Sequence, residues 1–193
     1  MSKQPENKQL PFDGAESSEA EPQVAETGKG FGIAYAYLNR RERTEAEVRA
    51  RLERGEVGGD EIELVIAELI ELGLLDDARY ARVFTEDKRN LEAWGNERIA
   101  RALQERGVER ELIEAALVED EGQRASGGGG HAGLEGGGGT EFERAVAFLG
   151  QRFPAGAAEP RDRERAFGVL ARKGYESETA SDAVREWARR GAA

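Results

Sequence analysis

Short apolar stripes of helical period, each closed by a glycine, restrict this chain more than any other feature. Ile62, Val65, Ile66, Leu69 and Ile70 fall at i, i+3, i+4, i+7 and i+8, one face of an α-helix. Gly73 follows, where a left-handed residue can end a helix at little steric cost. Leu74 and Leu75 are expected to turn inward, and Asp76 to accept the backbone N–H bonds that open the next helix. That helix presents Tyr80, Val83 and Phe84 on one side. Residues 73–81 therefore read as a packed corner between two helices.

The same grammar recurs along the chain. Ile33, Ala36 and Tyr37 form a first short face, and Thr44 with Glu47 forms a capping box ahead of Val48 and Leu52. Asp60 with Glu63 gives a start signal for the third helix. Further on, helices are expected over Asp76 to about Ala93, Asn96 to Arg106 and Glu109 to Val118. After a glycine-rich stretch come three more, marked by Phe142–Phe153, by Phe167, Leu170 and Ala171 before Gly174, and by Ala180, Ala183, Val184 and Trp187 with Ser177 as cap. The run Leu103–Val108 matches Leu170–Tyr175 in spacing and chemistry, and Leu52–Gly55 matches with one residue fewer. The fold class is all-α, with three tandem three-helix modules at 33–75, 76–120 and 140–193. Modules this small gain stability by stacking on one another. Residues 1–32, polar and acidic, read as a disordered tail, with Gly28–Gly32 as linker rather than phosphate loop. Residues 121–139, with two four-glycine tracts, read as a flexible tether.

Chemistry is excluded on several sides. The chain has no cysteine and one histidine, His131, which lies between the glycine tracts. Ser–His, Cys–His and histidine-based metal sites are thus missing, and no P-loop spacing occurs. The acidic runs Asp76-Asp77 and Glu119-Asp120-Glu121 fall where helices begin or end, so they read as capping and solvated charge rather than metal ligands. No catalytic residue, metal site or cofactor is expected. No segment approaches the roughly 18 consecutive apolar residues of a membrane span, and the N-terminus lacks a signal peptide's apolar region. A soluble, cytoplasmic protein without membrane contact is expected. The net charge is −11, and residues 33–126 hold 15 basic against 23 acidic side chains. Residues 140–193 hold ten basic against nine acidic. Electrostatic capture of bare nucleic acid by the first two modules is therefore disfavoured.

Leu75-Asp76-Asp77 followed by Ala78-Arg79-Tyr80-Ala81, then Trp94-Gly95-Asn96-Glu97-Arg98-Ile99, then Leu103-Gln104-Glu105-Arg106-Gly107-Val108, resemble in order and spacing the RecX family of bacterial RecA regulators. The resemblance covers residues 33–120, and the glycine-rich stretch beyond departs from that family's compact connection. It implies a curved array of three modules that binds in the groove of the RecA–DNA filament. It also implies modulation, chiefly inhibition, of filament growth, ATP hydrolysis and co-protease activity. The residues by themselves leave open an independent helical DNA-binding protein and a helical scaffold or adaptor.

Candidate contacts with RecA or with DNA in the filament are Arg79, Arg82, Lys88 and Arg89 on one helix, and Arg98 and Arg101 on the next. Arg163, Arg172 and Lys173 join them from the last module, where Arg161 and Arg165 also cluster. Trp94 reads as the cap of a core at a helix break, with a partner anchor as the alternative. Weak contact with bare DNA, supplied mostly by the third module, and action as a monomer are expected.

Overall fold

In the computed structural model, residues 28–125, 139–156 and 159–191 are described. The first 27 residues of the expected tail and most of the expected tether, His131 included, lie outside them. The described residues form nine α-helices and no strand: α1 Lys29–Leu38, α2 Glu45–Arg54, α3 Gly59–Glu71, α4 Asp77–Glu92, α5 Asn96–Gln104, α6 Arg110–Ala125, α7 Glu141–Arg152, α8 Pro160–Lys173 and α9 Ser177–Gly191. They gather by threes. Ala34, Val48, Leu52, Ile62, Val65, Ile66, Leu69 and Leu75 are the core of α1–α3. Tyr80, Ala81, Ile99, Leu103, Ile113 and Ala116 are the core of α4–α6. Ala145, Leu149, Ala166, Leu170, Tyr175, Ala183 and Trp187 are the core of α7–α9.

Local chemistry places most helix ends. Thr44 and Glu47 make the reciprocal capping box expected of α2, and Thr140 with Glu143 makes another at α7. Asp76 accepts the Arg79 N–H at 2.8 Å to open α4. Gly73, at φ 68°, ends the turn after α3, where the N–H groups of Leu74 and Leu75 both return to the Leu69 carbonyl. Two starts differ from the sequence reading. Gly58 precedes α3 without a side-chain cap, and Ser177 lies inside α9, whose first bond runs from the Ala180 N–H to the Glu176 carbonyl.

Other departures concern which side chains are inside. Gly30 is a buried part of α1 rather than linker, and its N–H donates to Glu61 at 2.8 Å. A Cβ there would stand 3.1 Å from Val65 and 3.2 Å from Val57, so the small residue is what lets α1 lie against α3. Ile70, Leu74 and Val83, expected inward, are exposed at the surface, and Leu75 alone fills the corner. On α4 the inner face instead includes Thr85 and Arg89, both buried.

Candidate nucleic-acid interface

The second helices of the third and second modules each end against the start of the second helix in the preceding module. An α-helix leaves its first N–H groups and last carbonyls without internal partners. At the start of α5, Gly95 donates to the Lys173 carbonyl at 2.9 Å and Glu97 to the Gly174 carbonyl at 3.1 Å. The intervening Asn96 N–H goes to the Glu141 carboxylate at 2.7 Å. The positive end of one helix dipole thus meets the negative end of α8, a favourable order. At the start of α2 the arrangement repeats in side-chain form. Thr44 Oγ1 donates to the Arg106 carbonyl at 2.6 Å, just beyond α5, and the Glu45 N–H goes to Asp77 at 2.9 Å. Burial raises the Asp77 carboxyl above its ordinary range, and the Glu45 N–H it accepts pulls it partly back. The terminators Gly107 and Gly174, at φ 77° and 81°, occupy equivalent places.

This framework sorts the candidate cations. Arg79 reaches Glu42 in the α1–α2 connection at 3.5 Å and Arg82 reaches Glu119 on α6 at 3.6 Å, so both are answered by acids from other parts of the fold. Lys88 bonds Glu92 and lies 4.9 Å from the Trp94 ring centre. The Lys88 ammonium, with help from Arg98, holds the Glu92 carboxyl below its ordinary range. Arg89 is a correction: at 4% exposed it faces inward, tying α4 to Asn96 and to the Leu117 carbonyl, and it has no surface to offer a partner. Lys173 points back across the joint and donates to the Glu92 carbonyl at 2.6 Å.

The remaining cations have no such answer. Arg101, Arg161, Arg163, Arg165 and Arg172 are exposed, and among the described residues no carboxylate lies within salt-bridge range of any of them. Arg98 is also exposed; it stacks 4.0 Å over Trp94 and donates to the Arg172 carbonyl at 3.1 Å. At about 100° per residue, Arg161, Arg165 and Arg172 fall within about 40° of one another around α8, whereas Arg163 points to the other side. Arg98 continues that row onto α5, with Arg101 one turn further on. Glu97 on α5 and Asp162 and Glu164 on α8 stand on the same helices but form no ion pair with these guanidinium groups. Trp94 is half-buried, edge-on to Phe84, and caps the second core as the sequence suggests, with Arg98 covering its outer face.

An exposed row of unanswered guanidinium groups is suited to a phosphate chain, since each presents several donors in a planar fork. Among the described residues no cluster of potential metal ligands and no helix long and apolar enough to cross a membrane occurs. The sequence listed the arginines of this row, but it gave no sign that Gly95 and Glu141 assemble it. A glycine standing as the N-cap of α5, in a chain that repeats the Gly107/Gly174 terminator, was the available signal.

Two family models match the chain: the first three-helix domain of RecX over residues 31–69 and the second over residues 76–117. The regulatory protein RecX of Deinococcus radiodurans is 31% identical over 174 residues, covering 89% of this chain and 76% of the relative. That of Mycolicibacterium vanbaalenii is 29% identical over 88% of both chains. The match to the regulatory protein RecX of Finegoldia magna, 33% identical, spans 50% of this chain and only 47% of the relative. The crystal structure of RecX from Lactobacillus salivarius superposes with a TM-score of 0.65 over 82% of this chain and 94% of the other, at 22% identity, a likeness of fold. By its helical modules, its joints and these matches together, the chain belongs to the RecX family of regulatory proteins.

Proposed function

We propose that this protein regulates the RecA recombinase by binding RecA–DNA filaments, and that it restrains filament growth, ATP hydrolysis and co-protease activity. Family membership supports the regulatory role, and the observation that carries the mode is the unanswered arginine row on α8 and α5 of an otherwise acidic chain. In a filament groove, basic protein surface can meet the acidic first modules while the arginine row reaches phosphate. On bare DNA the acids of residues 33–126 oppose approach, so binding there is weak at physiological salt. The protein acts as a monomer and without catalysis of its own. In support of the first, Pro160 occupies the position in α8 where Glu45 and Asn96 donate to a following module, and proline has no N–H to give. A further module or copy stacked in the same way would lack that hydrogen bond.

A titration of purified protein into the DNA-dependent ATPase of its cognate RecA tests the proposal. The rate should fall as the protein approaches one copy per RecA, while the protein alone hydrolyses no ATP. A rate unchanged well past that ratio removes RecA as the partner. The row of exposed arginines without carboxylate partners also favours a second reading, an independent DNA-binding protein. Tight RecA-independent DNA binding at physiological salt would select it, and indifference to both DNA and RecA would leave a scaffold.

A further inference from the structure

Gly95 sits at an ordinary φ of −82°, so its own backbone would accept a side chain without strain. The space around it would not. A Cβ at Gly95 would lie 2.3 Å from the Gly174 carbonyl oxygen, 2.4 Å from its carbon and 2.5 Å from the Tyr175 nitrogen, all backbone atoms of the third module. Backbone cannot swing aside as a flexible side chain can, so a methyl group there separates α5 from α8. Gly174 is its counterpart, since a Cβ on it would meet Arg98 Cβ at 2.2 Å. The joint is backbone laid on backbone. Glu141 fastens it by accepting the Asn96 N–H, and Arg144, itself buried, donates to the Gly139 carbonyl at 2.8 Å beside it.

The consequence reaches the arginines. Arg161, Arg165 and Arg172 belong to the third module, Arg98 and Arg101 to the second, and only this joint makes them one row. Along α8 the row covers about 16 Å at 1.5 Å per residue. Its extension onto α5 adds at least one turn, about 5 Å.

We infer that Gly95 is a positioning residue of the interface: by admitting the end of α8 against the start of α5, it aligns the arginines of two modules for one continuous phosphodiester chain. This rests on the phosphate-binding reading of the row given above. A strand bound across the joint exchanges counterions with both modules at once, and a strand bound to an opened joint exchanges them with only one. Gly95 touches no ligand in this account and acts through the placement of Arg98 and Arg101.

The test is a mutant cycle on the full chain, read as the salt dependence of binding to a fluorescent oligothymidylate at low ionic strength. Each phosphate contact on a single strand contributes about 0.7 to the slope of log K against log salt. Replacing Arg98 and Arg101 by alanine in the parent should lower that slope by about 1.4. Gly95→Ala alone should lower it as much. The two arginine changes should then add nothing in the Gly95→Ala background. Gly150→Ala, whose added methyl meets nothing within 4 Å, is the control and should keep the parent slope. If Gly95→Ala keeps the parent slope and the arginine changes act equally in both backgrounds, the positioning role is overturned. If the arginine changes have no effect in the parent, the phosphate-binding reading itself fails, and the inference with it. Glu141→Ala, which removes the Asn96 acceptor without adding bulk, makes the same comparison should Gly95→Ala fail to fold. It should lower the slope in the same direction, and an unchanged slope in that variant also overturns the inference.

Discussion

On α4, Arg79 reaches Glu42, Arg82 reaches Glu119, Lys88 reaches Glu92 and Arg89 is buried against Asn96; on α8, Arg161, Arg163, Arg165 and Arg172 stand exposed with no carboxylate of the described residues in reach. The two helices carry the same kind of charge in similar number. They differ in what their neighbours supply. A cation paired at about 4 Å presents little net field beyond the Debye length of about 10 Å. Several unpaired ones on one face add together at a neighbouring phosphate chain. A count of arginines therefore does not locate a binding face in this protein, whereas the acids that the fold brings to them do.

The largest effect that this contrast predicts is on stability. Arg89→Ala should cost about 2–3 kcal/mol, because it removes the buried guanidinium that ties α4 to Asn96 on α5 and to the Leu117 carbonyl on α6. Arg161→Ala on α8 should stay within about 0.5 kcal/mol, as exposed substitutions usually do. Denaturant midpoints of the two variants check this, and equal midpoints would place Arg89 at the surface after all.

An effect of similar size separates the modules by pH. Burial in the third core pushes the Tyr175 hydroxyl up to about 12. An unfolded phenol ionises near pH 10, so the fold holds the neutral form more tightly than the open chain does. That contribution is fully present below about pH 10 and is lost as pH rises toward about 12, to the extent of roughly 2–3 kcal/mol. Melting followed together with tyrosinate absorbance should show the third module failing as Tyr175 ionises. Complete tyrosine ionisation near pH 10 with α7–α9 still folded would contradict it.

Much of the fold was legible because its signals are local. The stripe Ile62–Leu69, the box at Thr44 and the stops at Gly107 and Gly174 each depend on neighbours within two turns, and the structure has them where the spacing puts them. The misses follow from distance or from size. Gly30 contributes by lacking a side chain, which no apolar periodicity records. Ile70 and Val83 lie at the edges of their stripes, where a rotation of part of a turn decides burial. The partners of Arg79 and Arg82 come from 37 residues away in each case, Glu42 behind and Glu119 ahead. Nothing in the spacing of α4 announces them. Net charge singled out the third module for DNA contact, but the spacing did not show which arginines of α8 would lack acid partners, and Gly95 looked like an ordinary helix break.

The account turns on whether phosphate contact in the filament comes from the unanswered arginines. The direct measurement is binding to cognate RecA–DNA filaments across a salt series, made with two charge-reversed variants. One carries glutamate at Arg161, Arg165 and Arg172, and the other carries it at Arg79 and Arg82. The first should bind more weakly than the parent with a salt slope lower by about 3, near 1 for each lost contact. The second should keep nearly the parent's slope. Loss of binding and slope in the α4 variant, with the α8 variant unchanged, would contradict the account.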